Sequence, residues 1–407
     1  MTWLAFAAAS LAAAGLAQAA AGRLAAGRFL AMPPPPAGPR PPVTVLKPLC
    51  GDEPMLEAAL ASICRQSYPG FQLVCGVQDP DDPAIAVVRR LQARFPRLDI
   101  ALVIDPTQHG ENRKISNLSN MLPAAQHDVL VIADSDVHVL PDYLASVVDT
   151  LALPGTGLVT TLYAGLPANR SLAARLGATA ITHSFLPGAL MARELGRQDC
   201  LGATMALRRE TLTAVGGLRA LVHHLADDNV LGQLVRARGL TVRLAPTVCA
   251  ATVPETRLGP LFRHELRWAR TIQALAPAEF VASTIQHPLA WAALAVALSG
   301  GASWALLAFA VCWAGRALAA RGLDSRFRLI RSGLVPPVPV WMLPLRDLLS
   351  LAVVVASYAN DRVEWRGHVL HTGLDKPAMK KPGYDATSEV AALPRAAGSP
   401  MVGISAR

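Results

Sequence analysis

The sequence predicts an α/β domain built on a parallel sheet and held at a membrane by flanking apolar helices. Three observations lead there. From Val43 onward, β-type apolar segments alternate with helical ones, a pattern that implies a parallel sheet with right-handed crossovers. One segment, Val129-Leu130-Val131-Ile132-Ala133, has no polar residue and runs straight into Asp134-Ser135-Asp136. That suits a strand buried on both faces with its functional groups at the carboxyl end. Finally, 52 % hydrophobic and 16 % charged residues over 407 positions, with a mean hydropathy of +0.34, are too apolar for a wholly soluble enzyme.

Residues 1–22 are predicted to be a transmembrane helix. The run from Trp3 to Ala21 is broken only by Ser10, Gly15 and Gln18, and at ~1.5 Å per residue it can cross a core of ~30 Å. No basic residue precedes it, unlike a cleaved signal. Arg23, Arg28 and Arg40 follow it, so the positive-inside rule puts the amino terminus outside and the next residues in the cytoplasm. Residues 23–42 are a basic, proline-rich linker, whose prolines 33–36, 39, 41 and 42 favour a stiff polyproline spacer.

The catalytic α/β domain is expected over 43–254, with strands at 43–46, 71–77, 100–104 and 129–133 and helices at 53–66 and 84–95. Amphipathic interface helices should fill 255–286. A transmembrane hairpin is expected over 287–320, because a hairpin keeps Arg316, Arg321, Arg326, Arg328 and Arg331 on the cytoplasmic side. Residues 321–339 then form a basic cytoplasmic loop. Residues 340–358 read as a transmembrane or re-entrant segment whose Arg346 and Asp347 must face protein or a polar cavity. The tail, 359–407, has no periodicity beyond about Pro377 and is expected to be largely disordered.

A net charge of +9 and a pI near 9.6 suit nucleic acid or an anionic membrane surface. Only 5 % of residues are aromatic and no nucleic-acid module is present, which leaves the membrane surface as the partner. The six cysteines lack CxxC spacing, which argues against zinc and for free thiols in a reducing compartment.

Two carboxylates one residue apart at a strand end repel each other unless a cation lies between them. Asp134 and Asp136 therefore suit Mg²⁺ or Mn²⁺, which in turn would hold a diphosphate; a solvated turn is the plain alternative. Asp79, Asp81 and Asp82 close the second strand ahead of Pro83, where one of them can serve as a helix cap. Lys114, in His109-Gly110-Glu111-Asn112-Arg113-Lys114, can reach a phosphate or a carboxylate across a cleft. Asp227-Asp228 opens an amphipathic helix. Either acid could cap it, and in a transferase one would take a proton from an attacking hydroxyl. His264, Arg267 and Trp268 lie on a helix where Arg and Trp also serve as interface anchors.

In combination, Leu46-Lys47-Pro48-Leu49-Cys50-Gly51, Val77 to Ile85, Asn112 to Leu118, Asp134-Ser135-Asp136, Ala226-Asp227-Asp228 and Arg267-Trp268 resemble ceramide glucosyltransferase and its bacterial relatives, including hopanoid-biosynthesis glycosyltransferases. The resemblance runs from about Val43 to Gly373. It implies a GT-A (Rossmann-like) fold, a UDP-sugar donor and inverting transfer to a membrane lipid hydroxyl at the bacterial inner membrane. By that likeness Asp79 and Asp82 lie near the uridine, Asp134 and Asp136 hold the metal diphosphate, and Asp228, with Asp227 beside it, is the catalytic base. Lys114, His183, His264, Arg267 and Trp268 would line the donor site or its mouth. His264 stands where the family motif usually has Gln or Arg, which inclines the expectation to a hopanoid polyol and UDP-N-acetylglucosamine, with glucosylation of ceramide second. A processive polymer synthase would need more spans, and a non-catalytic nucleotide-sugar binder would not need Asp228.

Overall fold

A computed structural model describes residues 2–359 and the backbone of 362–365 and 368–371. The chain opens on helix α1 (Thr2–Leu30), then runs through β1 (Val43–Pro48), α2 (Leu56–Cys64), β2 (Phe71–Val77), α3 (Ala84–Arg94), β3 (Asp99–Ile104), α4 (Arg113–Met121), β4 (Val129–Ala133) and β5 (Val137–His138). Next come α5 (Tyr143–Leu151), β6 (Thr156–Pro167), α6 (Leu172–Ala180), a π-helical turn (Ile181–Phe185), α7 (Leu186–Glu194), β7 (Thr204–Arg208), α8 (Arg209–Ala214), α9 (Asp227–Ala237) and β8 (Thr241–Val253). The last part holds α10 (Leu258–Leu275), α11 (Pro277–Ala282), α12 (Pro288–Leu298), α13 (Ser303–Asp324), α14 (Arg328–Arg331), α15 (Leu343–Ser357), β9 (Arg362–Trp365) and β10 (His368–His371).

The eight-stranded sheet has the order β3-β2-β1-β4-β7-β6-β8-β5. Its first four strands are parallel, as the alternating pattern requires. The second half is mixed: β7 runs antiparallel to both β4 and β6, and β5 antiparallel to β8. The β6–β8 pair slips register between Thr156 and Leu158 and again between Thr160 and Leu162, irregularities that bend strands. β4 lies between β1 and β7, and alternation sends Val129 and Val131 into one apolar core and Leu130 and Ile132 into the other. Both faces are thus covered, so the chain's first solvated groups after β4 are those of the turn at its end.

Gly165 of β6 faces α6 so closely that a Cβ there would sit 2.4 Å from the Ala178 Cα and 2.6 Å from its carbonyl oxygen. Backbone cannot rotate away as a side chain can. Gly165→Ala is therefore expected to destabilise the protein by about 1–3 kcal/mol, read as a lower Tm in detergent, while Gly51→Ala, with open space around its Cβ but a φ of 79°, should cost only about 1 kcal/mol of backbone strain.

The amino-terminal helix runs on past the expected boundary at 22. Its alanine-rich sequence continues through Arg23 and Arg28, Arg28 pairs with Glu194 at 2.7 Å, and the helix ends before Pro33, whose predecessor is biased out of the α region. The linker is correspondingly shorter. A stripe of small residues, Ala5, Ala8, Ala12, Gly15 and Gly22, is buried, and α1 packs on α7, α12 and α13.

Among the described residues three helices are long and apolar enough to cross a membrane: Thr2–Leu30, Ser303–Asp324 and Val340–Ser357. This is a membrane protein. The expected hairpin over 287–320 has unequal arms. α12 has 11 residues, about half a bilayer core at ~1.5 Å each, and it continues 277–286 across a 71° bend. α13 extends to Asp324, so the basic loop begins inside a helix. Arg346 and Asp347 of α15 are fully buried. Arg346 forms a two-pronged pair with Glu265 of α10, both bonds 2.7 Å, and Asp347 accepts the Leu289 amide at 3.1 Å. The tail contains an antiparallel β9–β10 pair ahead of the stretch expected to be disordered, and its remainder lies outside the described residues.

Candidate active site

The turn after β4 is fixed from below. Lys47, in register one position beyond the Leu46–Ile132 pair at the end of β1, is wholly buried. Its Nζ donates to the Asp134 carbonyl at 2.6 Å and the Val137 carbonyl at 3.2 Å. Burial lowers the Lys47 pKa, against the pull of Asp136 and Asp134. The Ser135 hydroxyl donates to the Glu53 carboxylate. With its backbone thus held, the turn presents the Asp134 and Asp136 side chains at the sheet edge. Asp136 is pushed up to about 7, first by burial and then by Asp134 and Glu53. Negative charge is in excess at this point.

Two further loops meet the turn. Asn112 caps α4 by accepting the Ile115 amide at 3.0 Å, which aims the first turn of that helix at the sheet edge. Lys114 in that turn lies 2.8 Å from Asp134 and 3.4 Å from Asp227. Burial alone would lower its pKa; Asp134, Asp227 and Asp228 outweigh burial and hold Lys114 charged. The Asn112 side chain also donates to the His224 carbonyl at 2.7 Å and to Asp227 at 3.3 Å. Gly110 makes the approach possible, since a Cβ there would meet Val222 at 2.7 Å.

Asp227 and Asp228 are thereby made unequal. Asp227 is buried and held by Lys114 and Asn112. Asp228 is half-buried and accepts the Asn229 amide at 2.8 Å. It is pushed up to about 6, first by burial and then by Asp227, with Lys114 opposing. A carboxylate tuned toward neutrality is suited to accept a proton near physiological pH. Gly202, ahead of β7, lies against it: a Cβ there would be 2.9 Å from Asp228 Oδ2.

A model of the family described as glycosyl transferase family 21 matches residues 4–377. The chain belongs to that family. The chain is 34 % identical over 113 residues to a ceramide glucosyltransferase of Komagataella phaffii, covering 27 % of this chain and 22 % of that protein. It is 24 % identical over 241 residues to an N-acetylglucosaminyltransferase of Rhizobium leguminosarum bv. viciae, covering 57 % of this chain and 56 % of that one. The chain thus spans about half or less of the length of these relatives. A solved mannosyltransferase from Pyrobaculum calidifontis, in complex with GDP-Man and Mn²⁺, matches 88 % of this chain and 99 % of its own with a TM-score of 0.51 and 22 % identity, which shows a shared GT-A-like α/β fold.

Not all the expected site residues gather at the turn. Asp134, Asp136, Lys114, Asp227 and Asp228 do. Asp82 is buried one loop away, where both its oxygens accept the Gly51 amide, at 3.0 and 2.8 Å, and one caps α3 through the Ala84 amide at 2.8 Å. Asp79 is exposed and accepts the Asp81 amide within its own turn. His264 contacts Glu255 at 2.6 Å and lies edge-on to Trp268, ring centres 4.4 Å apart. His264 and Arg267 outweigh burial and hold Glu255 below the usual carboxylate range, which ties the motif on α10 to that carboxylate. His183 departs from its expected place: it is buried in the π-helical turn with Nε2 3.2 Å from Asp324 of α13, and it pairs there, away from the carboxylates.

Three groups at the turn went unrecognised in the sequence. Lys47 left a signal, a lone charge inside an apolar strand. Glu53 left none. Tyr163 of β6 packs on Phe185 at 4.8 Å between ring centres; burial, then Asp228, Asp134 and Asp136, raise its pKa and keep the phenol protonated.

Proposed function

We propose that this glycosyltransferase moves N-acetylglucosamine, with inversion, from UDP-N-acetylglucosamine to a hydroxyl of a hopanoid polyol at the cytoplasmic face of a bacterial inner membrane. The observation that carries the reading is the meeting of Asp134, Asp227 and Asp228 around Lys114, with Asp136 beside Asp134 at the end of β4. Asp228 accepts the proton of the acceptor hydroxyl. The acceptor oxygen then bonds to the anomeric carbon as the bond from that carbon to the diphosphate breaks on the opposite side, and UDP departs. Lys114 supplies positive charge beside the leaving diphosphate.

Among the described residues no group of three or more His, Cys, Asp or Glu is arranged to hold a metal. Mg²⁺ and Mn²⁺ of this kind do not need one, because one or two carboxylates plus substrate phosphates suffice. Burial, and then the charges of Asp134 and Glu53, push Asp136 up to about 7; so crowded a carboxylate pair fits a divalent ion, and Asp134 and Asp136 would hold it. When bound, it supplies Lewis-acid stabilisation of the diphosphate. Asp79 and Asp82 flank the uridine end, and Arg267 and Trp268 the mouth. The arginines in the last turns of α1 and crowding the end of α13 favour the cytoplasm and an anionic membrane surface.

The hopanoid reading draws on His264, which is engaged by Glu255 where the usual motif has Gln or Arg. Glucosylation of ceramide from UDP-glucose is the second reading, favoured by the relative in Komagataella phaffii. An assay of the full chain with labelled UDP-N-acetylglucosamine or UDP-glucose, each with a hopanoid polyol or ceramide, separates them. Labelled lipid is expected from the first donor with the polyol. Product only from UDP-glucose and ceramide would replace this reading with the second.

A further inference from the structure

A cavity of about 30 Å³ lies between α1, the π-helical turn and α13, more than the ~10–15 Å³ that one water needs. Arg23, Arg316, His183, Gln18 and Gln286 line it, and among the described residues no carboxylate does. Arg316 and His183 are only 3 % and 5 % exposed. Each keeps a buried atom with no hydrogen-bond partner, Nε of Arg316 and Nδ1 of His183, and buried polar atoms are rarely left so without a ligand or water to fill the role. Arg316 is oriented by donating through Nη2 to the His183 carbonyl at 2.9 Å. The Asp324 carboxylate, 3.2 Å from His183 Nε2, favours the imidazole proton on that nitrogen, with Nδ1 as an acceptor. The cavity therefore offers guanidinium donors beside the His183 ring nitrogen and the amide side chains of Gln18 and Gln286.

Its depth is also informative. Counting ~20 residues for a span from Thr2 and from Ser303 brings Arg23 and Leu323, both on the cavity wall, to the level of the lipid headgroups. Basic pockets between spanning helices at that level suit anionic headgroups. We infer that this cavity binds the phosphodiester of a membrane phospholipid whose headgroup carries a hydroxyl: the phosphate accepts from Arg23 and Arg316, and the hydroxyl donates to His183 Nδ1. The site is separate from the proposed sugar transfer, yet the π-helical turn joins the two. His183 and Ser184 face the cavity and Phe185 packs on Tyr163, beside the carboxylates. Single π-helical turns within helices are frequent at functional positions.

The test measures binding of dioctanoyl phosphatidylglycerol, dioctanoyl phosphatidylcholine and inorganic phosphate to the full chain in neutral detergent by native mass spectrometry. Phosphatidylglycerol should bind saturably and at least tenfold more tightly than phosphatidylcholine. Arg23→Gln, a change at an exposed residue, should weaken it at least tenfold, Arg331→Gln, the same charge loss outside the cavity, less than twofold, and His183→Leu should remove the preference for the hydroxylated headgroup. Inorganic phosphate binding as tightly as phosphatidylglycerol, and equally sensitive to Arg23→Gln, would overturn the lipid assignment in favour of a free anion. Equal effects of the two arginine changes, or no preference between the lipids, would reduce the site to diffuse surface attraction and overturn the proposal.

Discussion

Asp228→Asn is expected to lower sugar transfer by about 10²–10⁴-fold, the usual worth of a positioned general base, while donor affinity changes by less than about threefold. The two effects separate because the amide keeps the shape of the side chain and its place against Gly202 but cannot take a proton. The wild-type rate should follow the ionisation of Asp228. With a pKa of about 6, the base is charged above that pH, and activity is lost as pH falls through it, approaching tenfold per unit. Asp227→Asn removes the like charge that helps raise this pKa, so the acid limb should move to lower pH. Rates of transfer from pH 4.5 to 8, with donor affinity measured beside them, check both statements. An acid limb that stays in place in Asp228→Asn would assign the proton to another group.

The second large effect is structural. Arg346 and Glu265 have side chains only 1 % and 12 % exposed, and their paired bonds fasten α10, which carries Arg267 and Trp268, to α15. Arg346 also donates to the Leu176 carbonyl at 3.3 Å. Arg346→Met leaves Glu265 buried without its partner and is expected to cost about 3–5 kcal/mol. The double change Glu265→Met with Arg346→Met removes both charges and should restore most of that loss. Thermal unfolding in detergent reads the stability. A double variant as unstable as the single one would mean that Arg346 acts through packing and its other bonds.

The sequence was most informative where burial left a simple pattern. An unbroken apolar run such as Val129 to Ala133 has one stable setting, a strand covered on both faces, and the acids after it had to lie at the sheet edge. The mixed second half left no such pattern: β6 and β8 are rich in threonine and small residues, with register slips that blur the two-residue alternation. Lys114 and Asp228 could be named because each falls at a helix start in a polar run. Tyr163 and Glu53 could not, since an isolated tyrosine in a strand or a glutamate before a helix is most often part of the packing or the surface. His183 shows the converse: family likeness pointed to the donor site, but its neighbours Arg316 and Asp324 lie over a hundred positions later, and pairing over that distance leaves no local trace.

The account rests on Asp134 and Asp136 holding a divalent ion together with the donor diphosphate, and electron paramagnetic resonance of Mn²⁺ added to the full chain measures this directly. Tight Mn²⁺ binding is predicted only when UDP is present. It should be lost in the double variant Asp134→Asn with Asp136→Asn and kept in Asp228→Asn. Binding that survives loss of both Asp134 and Asp136, or that is indifferent to UDP, would contradict the account.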